Sequence, residues 1–218
     1  QIKKELTATP DFINYKSKLC HYLNEDFAKY CTGISTEYKE KIQLIIVDPP
    51  WNILDSEHDR ISKLEMDLLC TFAAHMLRAS GHLLIMCSFD QWYEYKNICS
   101  KAQLVVDRLP LIVINDPKTN RVKHYGKTMK SSAFAILVAH KTLGEENYWN
   151  AVGIQSYLPG EFSKMLNVIG SYVPPKKLLN ENESVVRFEE KSVDLLKELI
   201  NRYSQQGSII ADFFFGSG

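Results

Sequence analysis

The sequence predicts an α/β fold: a mostly parallel sheet flanked by helices and ending in an antiparallel hairpin. Short apolar runs at 44–47, 82–87 and 109–114, the first of them rich in β-branched residues, read as buried strands. Stretches with apolar residues three to four apart separate them, as crossover helices do. Two apolar runs, 109–114 and 133–139, then follow each other with no helical pattern between them, which calls for a hairpin.

The elements follow in order. Residues 1–10 are polar and end at Pro10, a loosely held tail. Over 11–30 the spacing of Phe12, Tyr15, Leu19, Tyr22, Leu23 and Phe27 predicts an amphipathic helix, and 32–41 a polar connector. These make an N-terminal extension, 1–41, before a main domain, 42–218. After the strand at 44–47 comes a polar loop, 52–60. Ser62-Lys63-Leu64-Glu65 fits a capping box. The helix it opens carries a stripe of Ile61, Leu64, Leu68, Phe72 and Met76, runs to about Ala79, and stops at Ser80-Gly81. A strand at 82–87, a helix at 90–101 and the hairpin strands follow. Residues 141–184 read as irregular, with Pro159-Gly160 and Pro174-Pro175. A helix over 192–203, with Val193, Leu196, Leu199, Ile200 and Tyr203 inward, leads through Gln205-Gln206-Gly207 to a last strand, 208–213.

Bulk properties narrow the function. The 218 residues suit one main domain, and 45% hydrophobic content suffices for a full core. Lys+Arg and Asp+Glu are both 26, so the net charge is zero, which argues against a stand-alone nucleic-acid binder. The cysteines, at 20, 31, 70, 87 and 99, form no CxxC pair, as expected of reduced thiols in an intracellular protein of nucleus or cytoplasm. No His/Glu or His/Cys spacing suggests a metal, and no apolar run has membrane-spanning length.

The chemistry concentrates at Asp48-Pro49-Pro50-Trp51, directly after the first buried strand. Two prolines stiffen the turn and remove two backbone donors, leaving carbonyls to point outward. A carboxylate, a free carbonyl and a flat ring are thus presented together, a set that fits an exocyclic amino group on a planar base. Asp-Pro alone would mark only a strand-ending turn; all four residues behind a buried strand mark a site. The hairpin loop, 115–130, is long and carries Lys118, Arg121, Lys123, Lys127 and Lys130 against one acid, Asp116, with Tyr125 in its middle. Cations with an aromatic can hold a phosphate backbone and stack a base, although charged loops are often merely solvated.

Asp48-Pro49-Pro50-Trp51 resembles the signature of the S-adenosylmethionine-dependent amino methyltransferases, and its Trp variant looks most like adenine-N6 enzymes. Asp212-Phe213-Phe214-Phe215-Gly216-Ser217-Gly218 is similar to the cofactor motif of their permuted β class, with Phe213 where proline is usual. Glu190-Lys191-Ser192 is similar to the segment that precedes it, with Ser192 in place of proline. The order, catalytic motif before cofactor motif, is the permuted one.

The resemblance implies a Rossmann-like methyltransferase sheet, with S-adenosylmethionine as cofactor and DNA or RNA as substrate. It implies catalytic roles for Asp48, Pro49, Pro50 and Trp51. It implies cofactor contacts from Asp48, Lys191, Ser192, Phe214, Phe215, Gly216, Ser217 and Gly218. In that family the glycine turn leads on to a helix and an acid-bearing strand, so the C-terminal part is expected to be incomplete, the remainder being removed, disordered or replaced by another subunit. Zero net charge and the lack of a target-recognition domain suggest a protein partner subunit. Two other readings stand beside adenine-N6 transfer. One is a non-catalytic methyltransferase-like subunit, favoured by the departures at Ser192 and Phe213. The other is cytosine-N4 methylation, which Ser in place of Asp48 would have favoured.

Overall fold

The structure is a computed structural model, and it describes residues 14–16, 21–23, 38–52, 60–115, 133–142, 168–172 and 191–214. Two compact units divide the chain, Gln1–Ser35 and Thr36–Gly218. In the first, β1 (Asn14–Lys16) pairs antiparallel with β2 (His21–Leu23), Tyr15 opposite Tyr22. The helix expected over 11–30 is therefore replaced by strands at these positions. Tyr15 and Tyr22 lie seven residues apart, a spacing that imitates two turns of helix but here joins partners across a ladder.

The second unit is built on a seven-stranded sheet. Its strands are β3 (Ile42–Val47), β4 (Leu77–Cys87), β5 (Val105–Val106), β6 (Leu111–Asn115), β7 (Ala133–His140), β8 (Val168–Tyr172) and β9 (Ile209–Asp212). The order is β8-β6-β7-β4-β3-β9, with β5 also on β7. β3 pairs parallel with β4 and β9, and β6 parallel with β8. β7 runs antiparallel to β4 and β6, so the expected hairpin is present. β8 corrects the irregular reading of 141–184; a five-residue run with a central glycine gives little periodicity to read.

The helices are α1 (Lys63–Met76), α2 (Phe89–Lys101) and α3 (Val193–Tyr203). Ser62 and Ser88 open α1 and α2 with complete capping boxes closed by Glu65 and Gln91. α1 ends at Met76, not near Ala79, because Leu77 is already extended and starts β4. Ser80-Gly81 is therefore no helix stop but part of a bulge, where the register between β3 and β4 slips. Leu64 is 77% exposed, and the buried side of α1 is Met66, Leu69, Cys70, Phe72, Ala73 and Met76. Val193 on α3 is likewise exposed, and Leu195 and Leu199 take the core positions.

Alternation along β3 sends Leu44 and Ile46 to the face covered by α3 and Ile45 and Val47 to the other; all four are buried. The α3 face continues through Leu84, Met86, Val113, Phe134 and Ile136. The chain leaves β3 toward β4 and comes back through α3 to β9 on the opposite side. The carboxyl ends of β3 and β9 thus mark the point where the strand order reverses, the usual place for a ligand in such a sheet. Among the described residues no helix is long and apolar enough to cross a membrane.

A partly buried histidine, His82, responds to acid. His82, in β4, lies with its ring 5.1 Å from that of Tyr203 and 6.0 Å from that of His140, and its Nδ1 has no hydrogen-bond partner among the described residues. Burial, with a smaller repulsion from His140, pushes its pKa down to about 4. The unfolded chain then binds more protons than the fold between the ordinary histidine value and about 4, so stability falls as pH drops through that window. Asp107, 3.9 Å from His140, has its own carboxyl raised by burial, with His140 opposing. The expected result is a His82→Phe variant with a shallower acid limb in urea unfolding between about pH 6.5 and 4. An unchanged limb would place the proton uptake elsewhere.

Candidate active site

Asp48 stands immediately beyond β3, and the structure closes its carboxylate with two donors. Lys191 Nζ lies 2.5 Å from Oδ2, and the Trp51 indole N–H donates to Oδ1 at 3.2 Å. Lys191 comes from the approach to α3, which Ser192 caps by accepting from the Asp194 amide. The sequence separation of 143 residues is bridged by the return of the chain to β9. The Lys191 ammonium also lies over the rings of Trp51, at 4.9 Å, and Phe134, at 5.7 Å. Trp51 and Phe134 pack against each other at 5.7 Å. One acid, one cation and two aromatic rings thus meet at the reversal point.

Asn52, next to Trp51, is held in place. Asn52 adopts φ 57°, a left-handed conformation that Asn tolerates, and its amide is clipped to Ile61. Asn52 Nδ2 donates to the Ile61 carbonyl at 3.0 Å, and the Ile61 N–H donates to Oδ1 at 2.7 Å. The turn borders a cleft of about 330 Å³ between the N-terminal ends of α1 and α2, lined by Trp51, Asn52, Met66, Ser88, Gln91 and Tyr95 among others. Gln91 Nε2 donates to the Trp51 carbonyl at 2.8 Å.

On the other side of β3, Asp212 ends β9 opposite Ile46. Its outer side meets solvent, yet desolvation pushes its carboxyl up to about 6; the Asp48 charge adds to this and the Phe214 amide, 3.0 Å from Oδ1, opposes it. Phe213 stacks on Phe72 of α1 at 5.5 Å.

Of the residues expected from the sequence, Asp48, Trp51 and Lys191 are brought into direct contact, with Pro49 and Pro50 forming the turn between Asp48 and Trp51. Ser192 serves as the α3 cap, and Phe214 follows β9. Phe215, Gly216, Ser217 and Gly218 lie outside the described residues, as do Lys118, Arg121, Lys123, Tyr125, Lys127 and Lys130. Phe134 and Gln91 were not anticipated. Gln91 had a legible signal, the Ser88-Phe89-Asp90-Gln91 capping box; Phe134 had none, since it looks like any strand aromatic.

No family model matches the sequence, and no curated protein matches it closely enough to count. Solved structures do match. One is a candidate DNA modification methylase from Thermus thermophilus, complexed with S-adenosyl-L-methionine: 16% identity, TM-score 0.54, covering 81% of this chain and 72% of that one. Another is the cytosine-N4-specific PvuII DNA methyltransferase: 11% identity, TM-score 0.56, covering 80% of this chain and 67% of that one.

This chain has the fold of these methyltransferases.

Within that methyltransferase fold, β3 with Asp48 at its end and β9 beside it occupy the reversal point, and the hairpin of β6 and β7 lies on the far side of β4.

Proposed function

We propose that the protein transfers a methyl group from S-adenosylmethionine to an exocyclic amino group of a nucleic-acid base, with adenine N6 as the acceptor, in DNA or RNA. The observation that carries this reading is the Asp48 carboxylate held at the strand-order reversal between Lys191 and Trp51. The methyltransferase fold of the Thermus and PvuII proteins supports it.

The residues present fit such a cofactor: Asp48 offers a carboxylate to a cationic group and Lys191 an ammonium to a carboxylate, with Phe215 to Gly218 as the expected backbone cradle. The cofactor would supply an electrophilic methyl group. The chain's own part is to orient the acceptor. An aromatic amino nitrogen is a poor nucleophile because its lone pair is delocalised into the ring. Asp48 accepts one of its hydrogens and the Pro49 carbonyl the other, which turns the lone pair toward the methyl carbon. As the nitrogen becomes cationic, the Asp48 charge offsets it. Positioning provides most of the rate gain.

Lys191 and Trp51 each donate to one oxygen of Asp48, and the carboxylate keeps further lone pairs to accept the incoming amino hydrogen. Trp51 supplies the stacking face for a base taken out of a helix stack, or already single-stranded. The basic loop and a partner subunit supply further nucleic-acid surface, consistent with the zero net charge.

Cytosine N4 presents the same two hydrogens, and the N4-specific PvuII enzyme has this fold, so the acceptor base is a matter for experiment. Incubation with methyl-labelled cofactor and DNA or RNA, followed by nucleoside analysis, tests the proposal. Label in N6-methyladenosine or its deoxy form supports it, label in N4-methylcytosine moves it to the second base, and no label on either polymer overturns it.

The roles of Trp51 can be separated. Trp51→Phe keeps a stacking face but loses the N–H to Asp48, and should lower turnover about tenfold, the equivalent of one hydrogen bond. Trp51→Ala should in addition weaken base binding by about 1–3 kcal/mol. Equal base binding by the two variants would remove stacking from its role.

A further inference from the structure

We propose that Gln91 is the positioning residue of the Asp48–Trp51 turn, an assignment whose kinetic consequence rests on the function proposed above. Gln91 is the third residue of α2, where a capping box needs only an acceptor. Its Oε1 meets that need, accepting from the Ser88 N–H at 3.0 Å and from the Ser88 hydroxyl at 3.1 Å. Its Nε2 does something a cap does not require: it donates to the Trp51 carbonyl at 2.8 Å, across 40 residues of sequence. A carbonyl only accepts and a backbone N–H only donates, so the partners themselves fix which way the amide faces.

The comparison within the molecule is direct. α1 is capped by the same device with Glu65, whose Oε2 accepts from the Ser62 N–H at 2.6 Å. A carboxylate is sufficient for the cap. What glutamine adds at 91 is a donor, and the donor is spent on the turn. This matters because Pro49 and Pro50 contribute no N–H groups with which the turn could hold itself. Trp51 in turn holds Asp48 through its indole N–H. A continuous path therefore runs from the Ser88 cap at the end of β4, through Gln91 and Trp51, to Asp48 Oδ1. Lys191 fixes the other oxygen from the α3 side. The carboxylate is located from two independent elements of the fold.

The test uses the full chain with Gln91→Glu and Gln91→Ala. Glutamate keeps the capping acceptor, loses the donor and sets a carboxylate against the Trp51 carbonyl. Gln91→Glu keeps the cap but loses the bond to Trp51 and should unfold slightly below the wild-type temperature, while Gln91→Ala, lacking the cap as well, should unfold about 2–4 °C below wild type. Gln91→Glu should lower kcat for methyl transfer about ten- to a hundredfold with the KM for S-adenosylmethionine unchanged. Amide hydrogen exchange at Trp51 and Asn52 should quicken in this variant while the amides of α2 keep their wild-type rates. Wild-type kcat and exchange in Gln91→Glu would reduce Gln91 to a cap and overturn the proposal. If the wild-type chain transfers no methyl group, the proposed function fails, and the exchange rates at Trp51 and Asn52 decide the positioning role by themselves.

Discussion

Replacing Asp48 with asparagine should reduce methyl transfer by about 100-fold or more while the protein still folds. Asparagine has the shape of aspartate and keeps one acceptor oxygen, but it lacks the charge that offsets the developing cation. Its amide can also turn a donor toward the incoming amino group, which has only hydrogens to offer. Asp48→Ala should be at least as inactive, but it strips Lys191 of its carboxylate entirely. That side chain is 18% exposed, so some water can take the place of the lost partner. The stability loss should stay below the ~3–5 kcal/mol typical of breaking a fully buried pair. Asp48→Asn is therefore the cleaner variant, assayed with labelled cofactor beside thermal unfolding. Turnover near wild type at equal stability would show that Asp48 serves packing and not chemistry.

The largest expected effect on the fold lies away from the site, at Gly81. A Cβ there would come within 2.9 Å of two backbone carbonyl oxygens, those of Arg78 and Ile42, and within 3.0 Å of the Leu77 side chain. Neither carbonyl can swing aside, because the neighbouring backbone is tied into the sheet: Ser80 N–H donates to the Lys141 carbonyl and Lys141 N–H to that of Gly81. Gly81 occupies the bulge that resets the register between β3 and β4. Gly81→Val should cost about 1–3 kcal/mol, with each kcal/mol lowering the unfolding temperature by about 2–4 °C in a protein of this size. Gly81→Ala should follow in the same direction, since the clash begins at Cβ. A valine variant that melts with the wild type would mean that the bulge can open at no cost.

Most of the second unit was legible because its signals are local. The run Leu44-Ile45-Ile46-Val47 is buried on both faces, and Ser62 and Ser88 open helices with partners three residues on. Other features were illegible for physical reasons. Tyr15 and Tyr22 satisfy helical spacing and hairpin pairing alike, and only the partner strand decides between them. Leu64 looked like a core residue by period, but it falls in the first turn of α1, outside the buried stripe. At the site, the motif identified the carboxylate and the ring but not what holds them. Lys191 was legible as a candidate through its motif, whereas its contact with Asp48 depends on the return of α3 across the sheet.

The Asp48–Lys191 pair also bears on how the molecule comes to be active. Its members are 143 residues apart, and the buried Gln43 side chain, which donates to the Tyr203 carbonyl at 3.2 Å, spans 160. Neither contact can form until β3 has waited for α3 and β9 to arrive, and contacts this distant along the chain are among the slowest to form. β3, β4 and their two capped helices involve much shorter closures and can order first. On refolding from denaturant, helical signal and burial of Trp92 should then return ahead of the environment of Trp51, so that the candidate site is the last part of the chain to assemble.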